Sequence, residues 1–258
     1  MPCVGLVVLV GCFTFIIVPE AERPTEPKFL RTAGTLPTIV IDPGHGGNDD
    51  GARGHGLREK DETLDVALRL DQLLKNAHFP TALTRREDVY VSLPERVAIA
   101  NRFEDSIFVS IHFNQSGAGS ADGVETYYAD LKTPPEQEWT WVGFFNRPHP
   151  ASDDNGETLA GFVQAAVVTR LNVPNRGIKG RSLYVVRNTR NPAVLVEGGF
   201  ISNSLEAQML TNADYRNRLA AAVAEGIVNY VKSEQRTLPQ VLASSKEIPK
   251  QRRLNIPQ

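Results

Sequence analysis

The chain has 258 residues, a formal net charge of −2, 41% hydrophobic residues and 22% charged residues. That balance suits one good-sized folded domain and excludes a disordered chain or a broad basic surface for nucleic acid. Both cysteines, Cys3 and Cys12, lie near the amino end, which excludes disulfide frameworks, thiolate metal sites and cysteine nucleophiles from the rest.

Val4–Val18 is almost wholly apolar and breaks at Pro19-Glu20. As a helix it spans about 22 Å, short of a ~30 Å hydrocarbon core. Residues 1–19 therefore read as an export signal. Leu9-Val10-Gly11-Cys12 resembles a lipoprotein signal, so a cleaved signal and a lipid on Cys12 both stay open. Residues 20–37, rich in Pro, Glu and Thr, read as a linker.

The main domain is expected over residues 38–233. Thr38–Ile41 predicts a buried strand that feeds the loop Asp42-Pro43-Gly44-His45-Gly46-Gly47. Val66, Leu70, Leu73, Leu74 and Ala77 predict one face of a helix starting near Lys60. Thr81–Thr84 reads as a strand, and Pro94 opens a second helix. Further strands are expected over Ile107–Ile111, Gly123–Tyr128, Leu183–Val186 and Val194–Val196, with helices over Thr158–Leu171 and about Asp214–Lys232. Asn203 with Glu206 resembles a capping box. Alternating strands and helices imply an α/β fold whose mostly parallel sheet is covered on both faces. Residues 131–156 break this rhythm as an irregular insertion holding both tryptophans, and residues 234–258 read as a polar flexible tail.

In open α/β sheets, active groups gather beyond the carboxyl ends of the strands. Three predicted strands end at or near His45, His112 and Glu197. Two histidines and an oxygen ligand can hold Zn²⁺ with a position open for water. The third ligand is open among Asp42, Asp49, Asp50, Glu59 and Asp61. A hydrolytic zinc site also needs a carboxylate as general base, and Glu197 is placed for it. The glycines around His45 lack the GK[ST] of a phosphate loop, so a nucleotide site is not expected.

Four blocks occur in order: Ile41-Asp42-Pro43-Gly44-His45-Gly46-Gly47, Glu59-Lys60, Ser110-Ile111-His112-Phe113-Asn114, and Val194-Leu195-Val196-Glu197-Gly198-Gly199-Phe200-Ile201-Ser202-Asn203. Together they resemble the zinc-dependent N-acetylmuramoyl-L-alanine amidases that cut bacterial peptidoglycan. The resemblance runs from about Thr38 to Val231. It implies a single mixed α/β domain of about six strands, one Zn²⁺ held by His45, Glu59 and His112, and Glu197 as catalytic carboxylate. It also implies hydrolysis of the N-acetylmuramic acid–L-alanine amide by metal-activated water, in the periplasm or cell envelope, with an activator protein open. Asn114, Arg187, Trp139 and Trp141 are the expected substrate contacts. His55, His78 and His149 match no block and are expected outside the site. Two other readings are a peptidoglycan-binding module of the same fold and a zinc carboxypeptidase or deacetylase. The intact set of four active residues disfavours the first, and the blocks disfavour the second.

Overall fold

The computed structural model describes residues 35–117, 119–132 and 153–244. The expected signal, most of the linker, Trp139, Trp141, His149 and residues 245–258 lie outside them. Along the chain run β1 (Thr38–Pro43), the hairpin β2 (Arg53–Gly54) and β3 (Leu57–Arg58), α1 (Glu59–Asn76), β4 (Thr81–Leu83), α2 (Leu93–Ala100), β5 (Ser106–Asn114) and β6 (Val124–Ala129). Then come α3 (Asp153–Leu171), β7 (Asn175–Arg181), α4 (Tyr184–Asn188), β8 (Ala193–Phe200), α5 (Ser204–Thr211) and α6 (Ala213–Ser244). The closing helix thus runs on past Lys232, into the stretch read as tail. No helix among the described residues is long and apolar enough to cross a membrane.

Six strands form one sheet in the order β4-β1-β5-β8-β6-β7. All neighbours are parallel except β6 and β8, so the sheet is mixed and mostly parallel, as expected. Side chains alternate between its faces. Ile39, Ile41, Ile107, Val109, Ile111, Val194 and Val196 turn to one side, against α1, α3 and α6, and join the main core. Val66, Leu70 and Leu74 of α1 and Leu219, Val223 and Ile227 of α6 are fully buried there. Each such side chain contributes roughly 1.5–3 kcal/mol of apolar burial. Val40, Phe108, Ala193 and Leu195 face the other way, against Val97 of α2 and Val185 and Val186 of α4. α2 starts on a complete capping box, with Ser92 Oγ accepting from Glu95 N–H and Glu95 Oε2 accepting from Ser92 N–H at 2.9 Å.

Two local expectations need correcting. Leu183–Val186 is not a strand: Tyr184–Asn188 is helix α4. A short apolar run does not distinguish strand from helix by periodicity. Here adjacent Val185 and Val186 both pack onto the sheet, and Asn188 and Thr189 side chains donate back to the carbonyls of Tyr184 and Val185. The strand nearby is β7, whose sequence NRGIKGR hides it: two glycines and three cations suit an edge strand and read as a turn. Asn203 does cap α5, its Oδ1 accepting from Leu205 and Glu206 N–H. The box is not closed, because the Glu206 carboxylate accepts from Gly123 and Phe200 N–H instead.

Candidate metal centre and catalytic cleft

The Asp42–Gly47 loop leaves the carboxyl end of β1 and turns sharply, with His45 at φ 59°. A non-glycine residue there costs of order 1–3 kcal/mol and persists only where its surroundings over-determine it. Two buried arginines do so. Arg85 donates from Nε to Pro43 O at 3.1 Å and from Nη2 to Gly44 O at 2.7 Å and Lys60 O at 2.8 Å. Arg96 donates to Pro43 O at 2.6 Å, to His45 O at 2.7 Å and to Asp42 Oδ1 at 2.7 Å. Lys60 Nζ ties Gly47 O and Asp50 to the same frame, at 2.7 and 2.9 Å.

Three side chains converge at this end of the sheet. His45, Glu59 and His112 offer ligand atoms that all lie within 4.8 Å of one another. His45 comes from the β1 loop, Glu59 from the first residue of α1 and His112 from β5. Glu59 Oε2 lies 3.0 Å from His45 Nε2, and its Oε1 lies 2.9 Å from His112 Nδ1. The carboxylate is also held by the N–H groups of Ala52 at 2.8 Å and Phe113 at 3.0 Å. Asp49 Oδ2 lies 2.9 Å from His45 Nδ1, which orients the ring so that Nε2 faces the cluster.

The electrostatics suit a cation. Burial alone would raise the Glu59 pKa, yet hydrogen bonds to His112 and His45 hold it far below the carboxylate range. Burial works to lower the His45 pKa, and the Glu59 and Asp49 carboxylates outweigh it, so the net direction is up. A hard-to-protonate carboxylate between two imidazoles is a donor set for a borderline divalent ion.

Glu197 pairs with His112 across β5 and β8. Its Oε2 is buried with no hydrogen-bond partner. Burial, then the charges of Glu59 and Glu125, push its pKa well above the ordinary range. Among the described residues no arginine pairs with it, although an arginine is the usual structural partner of a buried acid. A cleft of about 390 Å³ opens beside His45 and His112, walled by Tyr90, Leu93, Leu183, Tyr184 and Leu195.

The other oxygen donors open at the sequence level are engaged elsewhere. Asp42 is bound by Arg96, Thr84 and Ser110, Asp49 by His45, Asp50 by Lys60, and Asp61 by Arg58. His55 lies 3.3 Å from Ser202 O, and His78 sits just past α1; neither joins the cluster. Asn114 donates to Glu125 Oε1 at 2.9 Å. Arg187 donates to Ser182 Oγ at 2.7 Å and Asp130 O at 3.3 Å. Sequence reading missed Arg85, Arg96 and Glu125. Their signal is burial of charge, which one sequence does not display.

The match to known proteins follows this geometry. The family model described as N-acetylmuramoyl-L-alanine amidase matches residues 39–229. The chain belongs to that family. The amidase is 36% identical to YqiI of Bacillus subtilis over 211 residues, covering 82% of this chain and 88% of that protein. It is also 36% identical to the N-acetylmuramoyl-L-alanine amidase LytC of B. subtilis, over 75% of this chain but only 35% of LytC. A crystal structure of an N-acetylmuramoyl-L-alanine amidase from Clostridium difficile 630 superposes with a TM-score of 0.67 and 32% identity. That alignment covers 77% of this chain and 98% of the other.

Steric fit around the ligands is tight enough to test. A Cβ on Gly44 would lie 2.3 Å from His112 Cε1, and one on Gly51 would lie 2.5 Å from Glu59 Oε2 at φ +65°. Gly44→Ala therefore tilts the His112 ring out of register. The expected result is metal affinity lowered by at least ~10-fold, the scale of a disturbed ligand shell. Titration of the metal-free variant with Zn²⁺ or Co²⁺ checks this.

Proposed function

We propose that this amidase is a zinc enzyme that hydrolyses the amide between N-acetylmuramic acid and L-alanine in peptidoglycan. The observation that carries the reading is the convergence of His45, Glu59 and His112 beside a buried carboxylate oxygen that nothing among the described residues satisfies. These three residues would hold the ion, which when bound supplies a Lewis acid that polarises the amide carbonyl and acidifies water. Asp49 keeps the His45 ring oriented, and the Ala52 and Phe113 N–H groups fix the Glu59 carboxylate.

Glu197 acts as the general base. Its unsatisfied Oε2 is free to accept a proton from the attacking water and to deliver it to the departing L-alanine amine. A carboxylate with a raised pKa is suited to both transfers near neutral pH. Trp139, Trp141, Asn114 and Arg187 stay in the proposal as substrate contacts. Asn114 also donates to Glu125, and Arg187 to Ser182. Such a substrate lies outside the cytoplasm. We therefore propose residues 1–19 as the export signal, with Cys12 as the lipid site if that signal is of the lipoprotein kind, and residues 38–233 as the catalytic domain.

The test is digestion of purified peptidoglycan with the full chain, supplied with zinc or with chelator. Free stem peptides with L-alanine amino ends, separated by mass and absent after chelation, are the expected products. Zinc binding with no such fragment in any condition would overturn the reading.

A further inference from the structure

We infer that Lys179 and Arg176, on the edge strand two strands from that of Glu197, form a subsite for a carboxylate of the substrate's peptide. The inference rests on the amidase reading above and adds to it which part of the substrate lies on which side of the site.

Glu125 anchors both cations. It pairs with Glu197 across the antiparallel strands β6 and β8, and directly opposed residues share a face of the sheet. Its side chain is only 2% exposed. It accepts from Asn114 Nδ2 at 2.9 Å, Arg176 Nε at 2.8 Å, Tyr127 Oη and Lys179 Nζ. The register between β6 and β7 shifts between Val124 and Thr126, where Gly177 takes φ +82°. That irregularity lets Arg176 and Lys179, three residues apart, reach the same carboxylate.

One buried anion thus faces two cations. Arg176 spends Nε on Glu125 and Nη1 on Asp122 O at 3.3 Å, and its guanidinium lies 4.9 Å from the Phe200 ring centroid. Among the described residues its Nη2 and two of the three Lys179 N–H groups remain as donors. The side chains are 36% and 33% exposed, respectively. Neutralising Glu125 needs one cation; the second leaves a net positive charge, pre-positioned from beneath, that opens to solvent.

Reach and contrast choose the ligand. β7 lies two strands from β8, about 10 Å at ~4.8 Å per strand. Two peptide residues beyond the cleaved bond extend about 7 Å, and long side chains cover the rest. The cleft beside His45 and His112 is walled by Tyr90, Leu93, Leu183 and Tyr184. The arginine lining it, Arg96, is already paired with Asp42. A peptide carboxylate therefore finds its cations on the β7 side, and the sugar is left to the aromatic cleft.

The experiment uses the zinc-loaded full chain and N-acetylmuramoyl tripeptides. In one pair the acidic second residue carries a free or an amidated carboxylate; in another the terminal carboxylate is free or amidated. Amidation of one of the two is expected to raise KM about tenfold, the scale of one charge-assisted hydrogen bond, with a much smaller change in kcat. Whichever amidation does so identifies the source. Lys179→Gln and Arg176→Gln should each erase the difference, Lys179→Arg should keep it, and salt should shrink it. Equal handling of all substrates by the parent protein would overturn the inference, as would variants that lose kcat alike on every substrate. Calorimetry of the released tripeptide, free and amidated, separates the two readings. Carboxylate-dependent binding without hydrolysis would sink the amidase reading and leave the subsite standing. Binding indifferent to amidation would remove the subsite.

Discussion

Glu197→Gln is expected to lower amide hydrolysis by at least ~10³-fold, within the range of a lost general base, while zinc still binds. The substitution keeps the shape of the side chain and removes both its charge and its ability to take a proton. It touches none of the three ligand atoms that converge on one another. The same change should stabilise the metal-free fold at neutral pH. Glu197 sits in the folded protein with a pKa pushed above its ordinary 4.5 by burial and by two neighbouring carboxylates. A carboxyl whose folded pKa lies above its unfolded value makes the folded state hold the proton more tightly. Stability then falls as pH rises from about 4.5 through the raised value. Glutamine has no such slope. Metal-free parent and variant should melt together at pH 4, and the variant should melt higher at pH 7. Equal melting curves at both pH values would show that Glu197 is better solvated than its buried Oε2 indicates.

Arg96→Ala should cost about 3–5 kcal/mol, the usual result of removing one member of a buried ion pair. The guanidinium is 4% exposed and Asp42 1%. Truncation leaves that carboxylate with Thr84 and Ser110 alone, removes the Arg96 donor from the His45 and Val91 carbonyls, and leaves the Pro43 carbonyl with Arg85 only. Because His45 occupies a strained conformation that these bonds hold in place, zinc affinity should fall with stability. Arg96→Lys separates the two effects. It retains the charge beside Asp42 but lacks the planar fork that spans three carbonyls and a carboxylate. We expect it to recover much of the urea midpoint and little of the zinc affinity. Full recovery of both would assign Arg96 to folding only.

How far the sequence foretold this site depends on what each residue does. His45, His112 and Glu197 stand at the ends of short apolar strands, and that position alone marks them, because parallel sheets gather chemistry at their carboxyl ends. Glu59 was one of five acids the spacing could not separate. In the structure the other four are occupied by arginine, lysine, histidine or hydroxyl partners, which is tertiary information. The clamp of Arg85 and Arg96 on the β1 loop is equally invisible in one dimension, since both lie 40 or more residues from the carbonyls of Pro43, Gly44 and His45 that they bind there. Edge strand β7 was missed for a different reason. Its glycines and cations serve the register shift and the Glu125 pairing rather than a core, so no apolar period announces it.

Strand β6, the one that runs against β8, has a consequence for how the chain can vary. Its first residues lie beside Glu197, so its last, Tyr128 and Ala129, lie level with Val194 and Arg181, at the opposite end of the sheet. Helix α3 begins there too, with Gly156 next to the Ala193 carbonyl. Ala129 and the start of α3, on either side of residues 133–152, therefore lie at the end of the sheet away from the ligand-bearing loops. Additions, losses or exchanges of whole modules at that point leave the spacing of His45, Glu59, His112 and Glu197 untouched. Length can change at that end of the sheet while the loops that carry the ligands keep theirs.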